Sequence, residues 1–461
     1  MNDDTIAAIS TPPGEGGIGI VRLSGPQSFA IARKIIFFPR EIKEPESHRL
    51  YYGYVVDPKD NSSIDEALVS FMRSPRTYTR EDVVEINCHG GIRPLARTLE
   101  LVLSCGARLA EPGEFTQRAF LNGRLDLAQA EAVIQIIRAK TDTALRVGMN
   151  QLTGGLSSEV KKIRAQLLAV LARIEAAVDF PELHDVEEIT RREIGEEVAA
   201  AGAEIEALLK TADKGKILRE GLLTAIIGLP NVGKSSLLNA LLREQRAIVT
   251  DVPGTTRDIL EESVNIGGIA LTVIDTAGIR KTENKVEKIG VERSRAALSR
   301  ADLVLLVTDL TRPFAEEEMQ LLQSVGKRPC IIVANKADLV DDVEERKAAI
   351  LRRAAGREVV ATAAVRGQGL EELEDRIKHL VFQGEAMASG AVYVTTARHK
   401  DALKKAQKAL HDLKKALDDK VPVDLLSVDL HNALAALGEI TGETVGDDLL
   451  NEIFSSFCIG K

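Results

Sequence analysis

A six-residue apolar run, Leu222-Leu-Thr-Ala-Ile-Ile227, leads straight into Gly228-Leu-Pro-Asn-Val-Gly233-Lys234-Ser235-Ser236. The second stretch fits GxxxxGK[ST], and a strand directly in front is the context that pattern requires. Its glycines let backbone N–H groups wrap phosphates. Lys234 can reach the β- and γ-phosphates, the Ser235 hydroxyl can ligate Mg²⁺, and the helix that follows adds its positive N-terminal end. A glycine-rich structural turn is the plainer alternative. Asn231, Val232, Gly233, Lys234, Ser235 and Ser236 are the candidate phosphate contacts here.

Two further motifs follow at strand ends. Asp275-Thr276-Ala277-Gly278 closes the apolar run Leu271–Ile274. An aspartate there can hold Mg²⁺ through water, and a glycine N–H can sense a γ-phosphate. Asn335-Lys336-Ala337-Asp338 closes Cys330–Ala334. The Asp338 carboxylate can accept from the guanine N1–H and amino group, donors that adenine does not present in that arrangement. An acceptor left unpaired disfavours the wrong base by roughly 10⁴-fold. The three motifs in this order predict a guanine-nucleotide-binding domain over residues 216–383. Its base-edge loop reads Ala361-Thr362-Ala363-Ala364, where such proteins usually show Ser-Ala, so the amide that meets the guanine oxygen is left open.

Hydrolysis needs a group to position water. Ras-like switches place a glutamine after DTAG; here Ile279 stands there. Glu283 and Glu287 are the nearby acids, on the charged segment 280–288. Asn231 offers a side-chain oxygen for a monovalent ion beside the β–γ bridge. The 250–257 loop, TDVPGTTR, supplies Thr250, Asp251, Val252, Pro253, Gly254, Thr255 and Thr256 as candidate nucleotide contacts. Thr255 or Thr256 must complete the Mg²⁺ shell.

Around this domain the pattern changes. Residues 1–120 alternate short β-like runs, among them Ile18–Leu23 and Val83–Ile86, with turn signals. From about 120, Val160, Ile163, Leu167, Leu171, Ile174 and Val178 recur at helical spacing, and a second helix is expected over 186–210. Runs at Leu222–Ile227, Leu271–Ile274, Leu303–Val307, Cys330–Ala334 and Glu358–Ala361 alternate with helical segments, the mark of a mostly parallel sheet covered on both faces. After 383, Leu403, Leu410, Leu413 and Leu417 mark one helical face, with Lys404, Lys405, Lys408, Lys414 and Lys415 on the others. The expected organisation is an N-terminal α+β domain (1–119), a helical domain in two parts (120–215 and 384–461), and an inserted Ras-like α/β domain (216–383).

The chain has 461 residues, 60 basic against 69 acidic, a net charge of −9. That balance leans away from a protein that holds nucleic acid by bulk charge. Cys88, Cys105, Cys330 and Cys458 form no CxxC pair, which fits a reducing compartment. Cys330 reads as a buried small hydrophobe. No apolar run approaches 18 residues and the N-terminus has no signal-peptide pattern, so a cytoplasmic protein without a membrane span is expected.

Together, DTIAAISTPPGEGGIGIVRLSG, PGEFTQRAFLNGRLDLAQAEA, GLPNVGKSSLLN, DVPGTTRD and the closing FCIGK resemble the MnmE/TrmE family of tRNA-modification GTPases along the whole chain. The resemblance implies GTP as substrate, Mg²⁺ on Ser235 and Thr256, and K⁺ on Asn231, Thr250, the Val252 carbonyl and Thr255. It implies catalytic roles for Lys234 and Glu287, the latter acting on the attacking water through a second water, and places Arg280 in the same switch segment. It implies an N-terminal tetrahydrofolate-binding fold that also dimerises, with Arg22, Glu85, Arg124 and Lys461 matching folate contacts. Arg124 stands where other members carry lysine, which keeps the charge but not its shape. A homodimer, a flavin-dependent partner of the MnmG/GidA type in a heterotetramer or larger complex, and tRNA are the implied partners. The one-carbon donor would be 5-formyl- or methylene-tetrahydrofolate, the product a C5-modified wobble uridine, and Cys458 would lie near the folate. An Era- or EngA-like ribosome-assembly GTPase shares the nucleotide motifs but normally carries a basic RNA-binding fold. A folate enzyme with a regulatory nucleotide domain is the third reading.

Overall fold

The computed structural model describes residues 4–179, 186–244, 262–274, 298, 300–354, 356–382 and 390–461. Seven strands form the first sheet: β1 (Ile6–Ile9), β2 (Gly16–Ser24), β3 (Ile36–Phe37), β4 (Arg49–Val56), β5 (Ser63–Met72), β6 (Val83–Gly90) and β7 (Arg108–Leu109). Their order is β3-β4-β5-β6-β2-β1-β7, antiparallel throughout except for β1 with β7. Alternation along β2 and β6 sends Val21, Leu23, Val84 and Ile86 into one core, where they meet Ile31, Ala32, Leu95 and Val102 of the Ser28–Ile35 and Ile92–Ser104 helices. The other side of the same strands carries Arg22 opposite Glu85.

The second sheet contains β8 (Leu222–Ile227), β9 (Glu262–Ile266), β10 (Ile269–Ile274), β11 (Leu303–Asp309), β12 (Cys330–Asn335) and β13 (Glu358–Thr362). Its order is β13-β12-β11-β8-β10-β9, parallel except for the β9–β10 hairpin. Strands β10, β11 and β12 are buried at every residue, and separate apolar clusters cover the two faces. That double burial is why these strands read as unbroken apolar runs. The strand order runs out from β8 to β10 on one side and to β11 on the other, so the loop after β8 opens at the switch point where α/β sheets bind ligands. Cys330 lies inside, and burial pushes its thiol up to about 11.

Helices on both sides of this sheet in the sequence share one core. Val160, Ile163, Leu167, Leu171 and Ile174 from Gly155–Asp179 meet Ile194, Val198 and Ile205 from Val186–Lys210. Leu403, Leu410 and Leu413 from Ala397–Asp418 and Leu426, Leu430 and Leu437 from Val423–Thr441 complete it. Val178, placed on the same stripe by spacing, has a side chain outside the described residues. A buried polar network reinforces the union. Arg398 bonds both Glu131 carboxylate oxygens at 2.8 and 2.9 Å, His399 Nε2 lies 2.7 Å from Glu131, and Thr395 joins Gln135 and Gln151. No helix among the described residues is long and apolar enough to cross a membrane.

The α/β sheet is docked onto this helical body. Thr141, which caps the Asp142–Leu152 helix, donates to Gly268 O at 2.9 Å, and Lys140 reaches Ser263 Oγ at 3.0 Å. Both contacts fall on the β9–β10 hairpin.

Candidate functional site

The loop after β8 is tied down by close backbone contacts. A methyl group on Gly228 would stand 2.2 Å from Val307 O, and one on Gly233 would stand 2.1 Å from Asn335 Nδ2. Both glycines have φ in the region closed to L side chains, +152° and +99°. Asn231, at the exposed apex, holds a left-handed φ of 63°. Such backbone is expensive outside glycine and concentrates at ligand clamps. Val232 is buried beneath the loop. Lys234 opens the Lys234–Glu244 helix, which is anchored by Leu237, Leu238 and Leu241. Ser235 and Ser236 follow in its first turn.

Lys234 is the electrostatic centre of the loop. Its Nζ donates to Gly228 O at 2.9 Å and Leu229 O at 2.8 Å, which folds the ammonium back into the loop mouth. Burial there pushes its pKa down, because a desolvated cation is disfavoured without an anion beside it. Carbonyls hold the ammonium in place, and no carboxylate among the described residues neutralises it. A polyphosphate would supply the missing charge. The residues present therefore fit the β- and γ-phosphates of a nucleotide.

The base-reading loop is joined to this cradle by Asn335. Its Nδ2 donates to Val232 O at 3.0 Å, and its Oδ1 accepts from Ala364 N at 3.1 Å and Thr362 Oγ1 at 3.3 Å. One side chain thus locks three loops in register. Lys336 has a left-handed φ of 66° and bonds Asp309 at 2.6 Å. That bond and two from Thr311 hold the Asp309 carboxyl below its usual range against burial, which works the other way. Asp338 sits on the 3₁₀ turn Ala337–Leu339 and pairs with Arg366 at 3.1 Å. The amides of Ala363 and Ala364 bond Gln368 O and Asn335 Oδ1 within the protein. Thr362 and Ala364 lie in the base-edge loop that motif reading marked; Asp309 and Arg366 are contributors that it missed. Only the strand-end position of Asp309 and its spacing from NKAD hinted at them.

Several sequence-predicted residues lie outside the described residues: Thr250, Asp251, Val252, Pro253, Gly254, Thr255, Thr256, Asp275, Thr276, Ala277, Gly278, Ile279, Arg280, Glu283 and Glu287. Among the described residues no cluster of three or more His, Cys, Asp or Glu could hold a metal.

A second site forms on the first sheet. Arg22 bonds Glu85 through Nε at 2.9 Å and Nη2 at 2.8 Å, and donates to Gly460 O at 3.2 Å. The closing CIGK segment therefore packs against β1 and β2: a methyl on Gly460 would stand 2.5 Å from Ile9 O. Lys461 lies half-buried there, its pKa pushed down first by burial and then by Arg22. Glu85 and Cys458 act on it in the other direction. The Arg22 guanidinium lies 5.8 Å from the Tyr78 ring and 5.7 Å from Phe115. Arg124 stacks on Tyr78 at 4.7 Å and donates to its carbonyl at 3.2 Å. Tyr78 thus joins Arg124 to Arg22. Motif reading passed over it, although a lone aromatic in the turn-rich segment 74–82 of an aromatic-poor chain was a signal. Ser10 Oγ, beside Gly460, is buried without a partner among the described residues. A carboxylate, three cations, two rings and an orphaned hydroxyl fit a flat heteroaromatic with donors along one edge.

A family model described as GTP-binding protein TrmE N-terminus matches residues 5–124, and the MnmE helical domain model matches 127–458. The tRNA modification GTPase MnmE of Geobacillus thermodenitrificans is 52% identical over 460 residues, covering 99% of each chain. The chain belongs to the MnmE/TrmE family. The Bacillus subtilis member is 50% identical over 99% of this chain and 100% of its own length. Among solved structures, Era of Aquifex aeolicus matches 40% of the chain and 65% of its own length at 29% identity, with a TM-score of 0.28. The MnmE/TrmE assignment draws the nucleotide loop, the helical body and the first sheet into one enzyme architecture.

Proposed function

We propose that this chain is a GTP hydrolase that acts in tRNA modification, stimulated by K⁺, and that with a flavin-dependent partner it modifies C5 of the wobble uridine using a one-carbon unit from a tetrahydrofolate. The observation that carries the nucleotide half is the desolvated Lys234 ammonium inside an amide-lined loop, tied through Asn335 to the loop that bears Asp338. Membership of a family whose relatives are named tRNA modification GTPases, at about half identity along the whole chain, carries the tRNA half. The acidic balance, which leaned against nucleic acid, gives way to this, because RNA contacts need only local patches.

In this reading Lys234 and the loop amides hold the β- and γ-phosphates as charge moves toward the leaving group. Asp338 accepts from guanine N1–H and the amino group, with Arg366 swinging aside or sharing the carboxylate. With the amides of Ala363 and Ala364 committed, the Val365 amide is the donor for the guanine oxygen. Ser235 and Thr256 would hold Mg²⁺, and Asn231, Thr250, the Val252 carbonyl and Thr255 would hold K⁺; there they would supply positive charge beside the phosphates. Glu287 positions the attacking water through a second water; the water's oxygen bonds the γ-phosphorus and GDP leaves. Thr250 to Thr256 and Asp275 to Gly278 supply the remaining nucleotide contacts.

Arg22, Glu85, Arg124 and Lys461 hold the folate, Glu85 accepting from its pterin edge. The domains divide at 1–119, 120–215, 216–383 and 384–461, the first forming the homodimer. The setting is the cytoplasm, with an MnmG/GidA-type flavoprotein as partner. GTP-driven opening and closing of the inserted domain gates the joint site.

Nucleoside analysis of tRNA after deletion of the gene tests this reading. Loss of a C5-modified wobble uridine is expected. Intact nucleosides with altered ribosome profiles would favour the ribosome-assembly alternative. Exchange of K⁺ for Na⁺ should slow GTP turnover by about tenfold or more, a fraction of the roughly 10³–10⁵ that an arginine finger supplies in other GTPases. Equal rates in the two salts remove Asn231 from its role.

A further inference from the structure

A cleft of about 470 Å³ opens beside Tyr78, its walls including His48, Pro75, Arg76, Arg80 and Arg124. Three guanidiniums and an imidazole face it, and none of its lining residues is acidic. The acids of the same loop are engaged elsewhere: Glu81 holds Ser24 at 2.6 Å and Arg118 at 3.2 Å, and Asp82 accepts from Ser74 N at 2.9 Å. Among the described residues, Arg80 and Arg124 bond only carbonyls, those of Asn122 and Tyr78. The cleft is therefore a concentrated positive field.

It is also built rather than frayed. Ser74 Oγ donates to Arg80 O at 2.7 Å, and Thr77 Oγ1 to Glu81 O at 2.6 Å. Asn122 Nδ2 donates to Thr79 O at 2.7 Å. Arg80 and His48 both hold left-handed φ, 59° and 64°, backbone that costs energy and gathers at ligand sites. The cleft is continuous with the Arg22–Glu85–Lys461 site: Arg124 lines the cleft and stacks on Tyr78, which Arg22 also approaches.

We infer that this cleft is the subsite for the carboxylate-bearing tail of the ligand held at Arg22 and Glu85, and that it selects tails with several carboxylates. The inference rests on the folate reading above. Folates end in a glutamate and occur with γ-linked chains of further glutamates, each adding one carboxylate. Guanidinium forks pair carboxylates in two parallel bonds. The Arg22 end takes the ring system, Tyr78 marks the turn, and Arg76, Arg80 and Arg124 meet the tail.

Calorimetry on the full-length protein tests it with 5-formyl-tetrahydrofolate bearing one or five glutamates. The wild type should bind the pentaglutamate roughly tenfold more tightly at low salt, since several exposed ion pairs each contribute a factor of a few, and the gain should shrink in high salt. The double variant Arg76→Gln, Arg80→Asn should lose that gain and bind the two forms alike. Asn at position 80 tolerates the left-handed backbone, and unchanged GTP turnover shows that the variant is folded. Equal wild-type affinities for the two forms, or a gain that survives in the variant, would overturn the inference alone. So would a variant that loses tRNA affinity while keeping the gain, which would make the cleft an RNA phosphate site. No binding of either folate would sink the folate reading and this inference with it.

Discussion

In the proposed mechanism Asp338 carries recognition and Glu287 carries chemistry, and each can be removed separately. The Asp338 carboxylate is a pure acceptor, so Asp338→Asn turns one acceptor into a donor. GTP affinity should fall by about 100-fold or more, with a gain for xanthosine triphosphate, whose ring offers the matching carbonyl. Competition binding with both nucleotides reads this, and unchanged GTP preference would discard the assignment. Glu287→Ala should keep GTP affinity and lose about 10²–10⁴ in kcat, the usual worth of a positioned proton-transfer group. Undiminished single-turnover hydrolysis would point to another acid, with Glu283 next in line.

At the scale of elements, the β9–β10 hairpin is where the inserted sheet meets the helical body. Its turn is Gly267-Gly268, and Gly268 has φ +93° with space only for hydrogen: a methyl would stand 2.3 Å from Thr143 Oγ1. Its carbonyl accepts from the helix-capping Thr141. In the sequence the hairpin lies between the 250–261 segment and DTAG. Gly268→Ala should cost on the order of 1–3 kcal/mol through strained backbone. Thr141→Ala should cost about 1 kcal/mol through the lost cap. Differential scanning calorimetry should show the loss in the transition of the inserted domain, and an unshifted trace would mean that the docking carries no stability. Motif reading marked the strand Leu271–Ile274 through the DTAG that ends it, but not its partner Glu262–Ile266, which carries no motif.

Across the whole molecule, Glu131, Arg398 and His399 bind the helical segments that precede and follow the inserted sheet. Burial raises the Glu131 pKa, yet His399 and Arg398 overcome it and bring the carboxyl down from 4.5 to about 2. The folded value lies below the unfolded one. The contribution is therefore complete above about pH 5 and is lost as pH falls through 4.5 toward 2. At neutral pH it amounts to on the order of 3 kcal/mol. Urea unfolding from about pH 7 to about pH 2.5 should show the wild type losing its margin over Glu131→Gln within that window. Parallel curves would show that the network does not set acid stability.

The order of amino acids alone disclosed whatever a few consecutive residues accomplish by themselves. Gly228 to Ser235 must turn, present amides and place one ammonium, and neighbouring backbone does all three. The buried strands declared themselves because β10, β11 and β12 are covered on both faces, and the stripe from Val160 to Ile174 because a helix face repeats. Joined residues far apart in the chain were another matter. Arg22 meets Gly460 across 438 residues and Arg398 meets Glu131 across 267. Nothing in the local pattern of either partner names the other, since the free energy of such a contact exists only after the intervening chain has packed. Tyr78 between two arginines, Asp309 beneath Lys336 and the arginine cleft belong to the same class. Chemistry carried by one loop was legible in order along the chain, and tertiary structure alone decided which loops face one another.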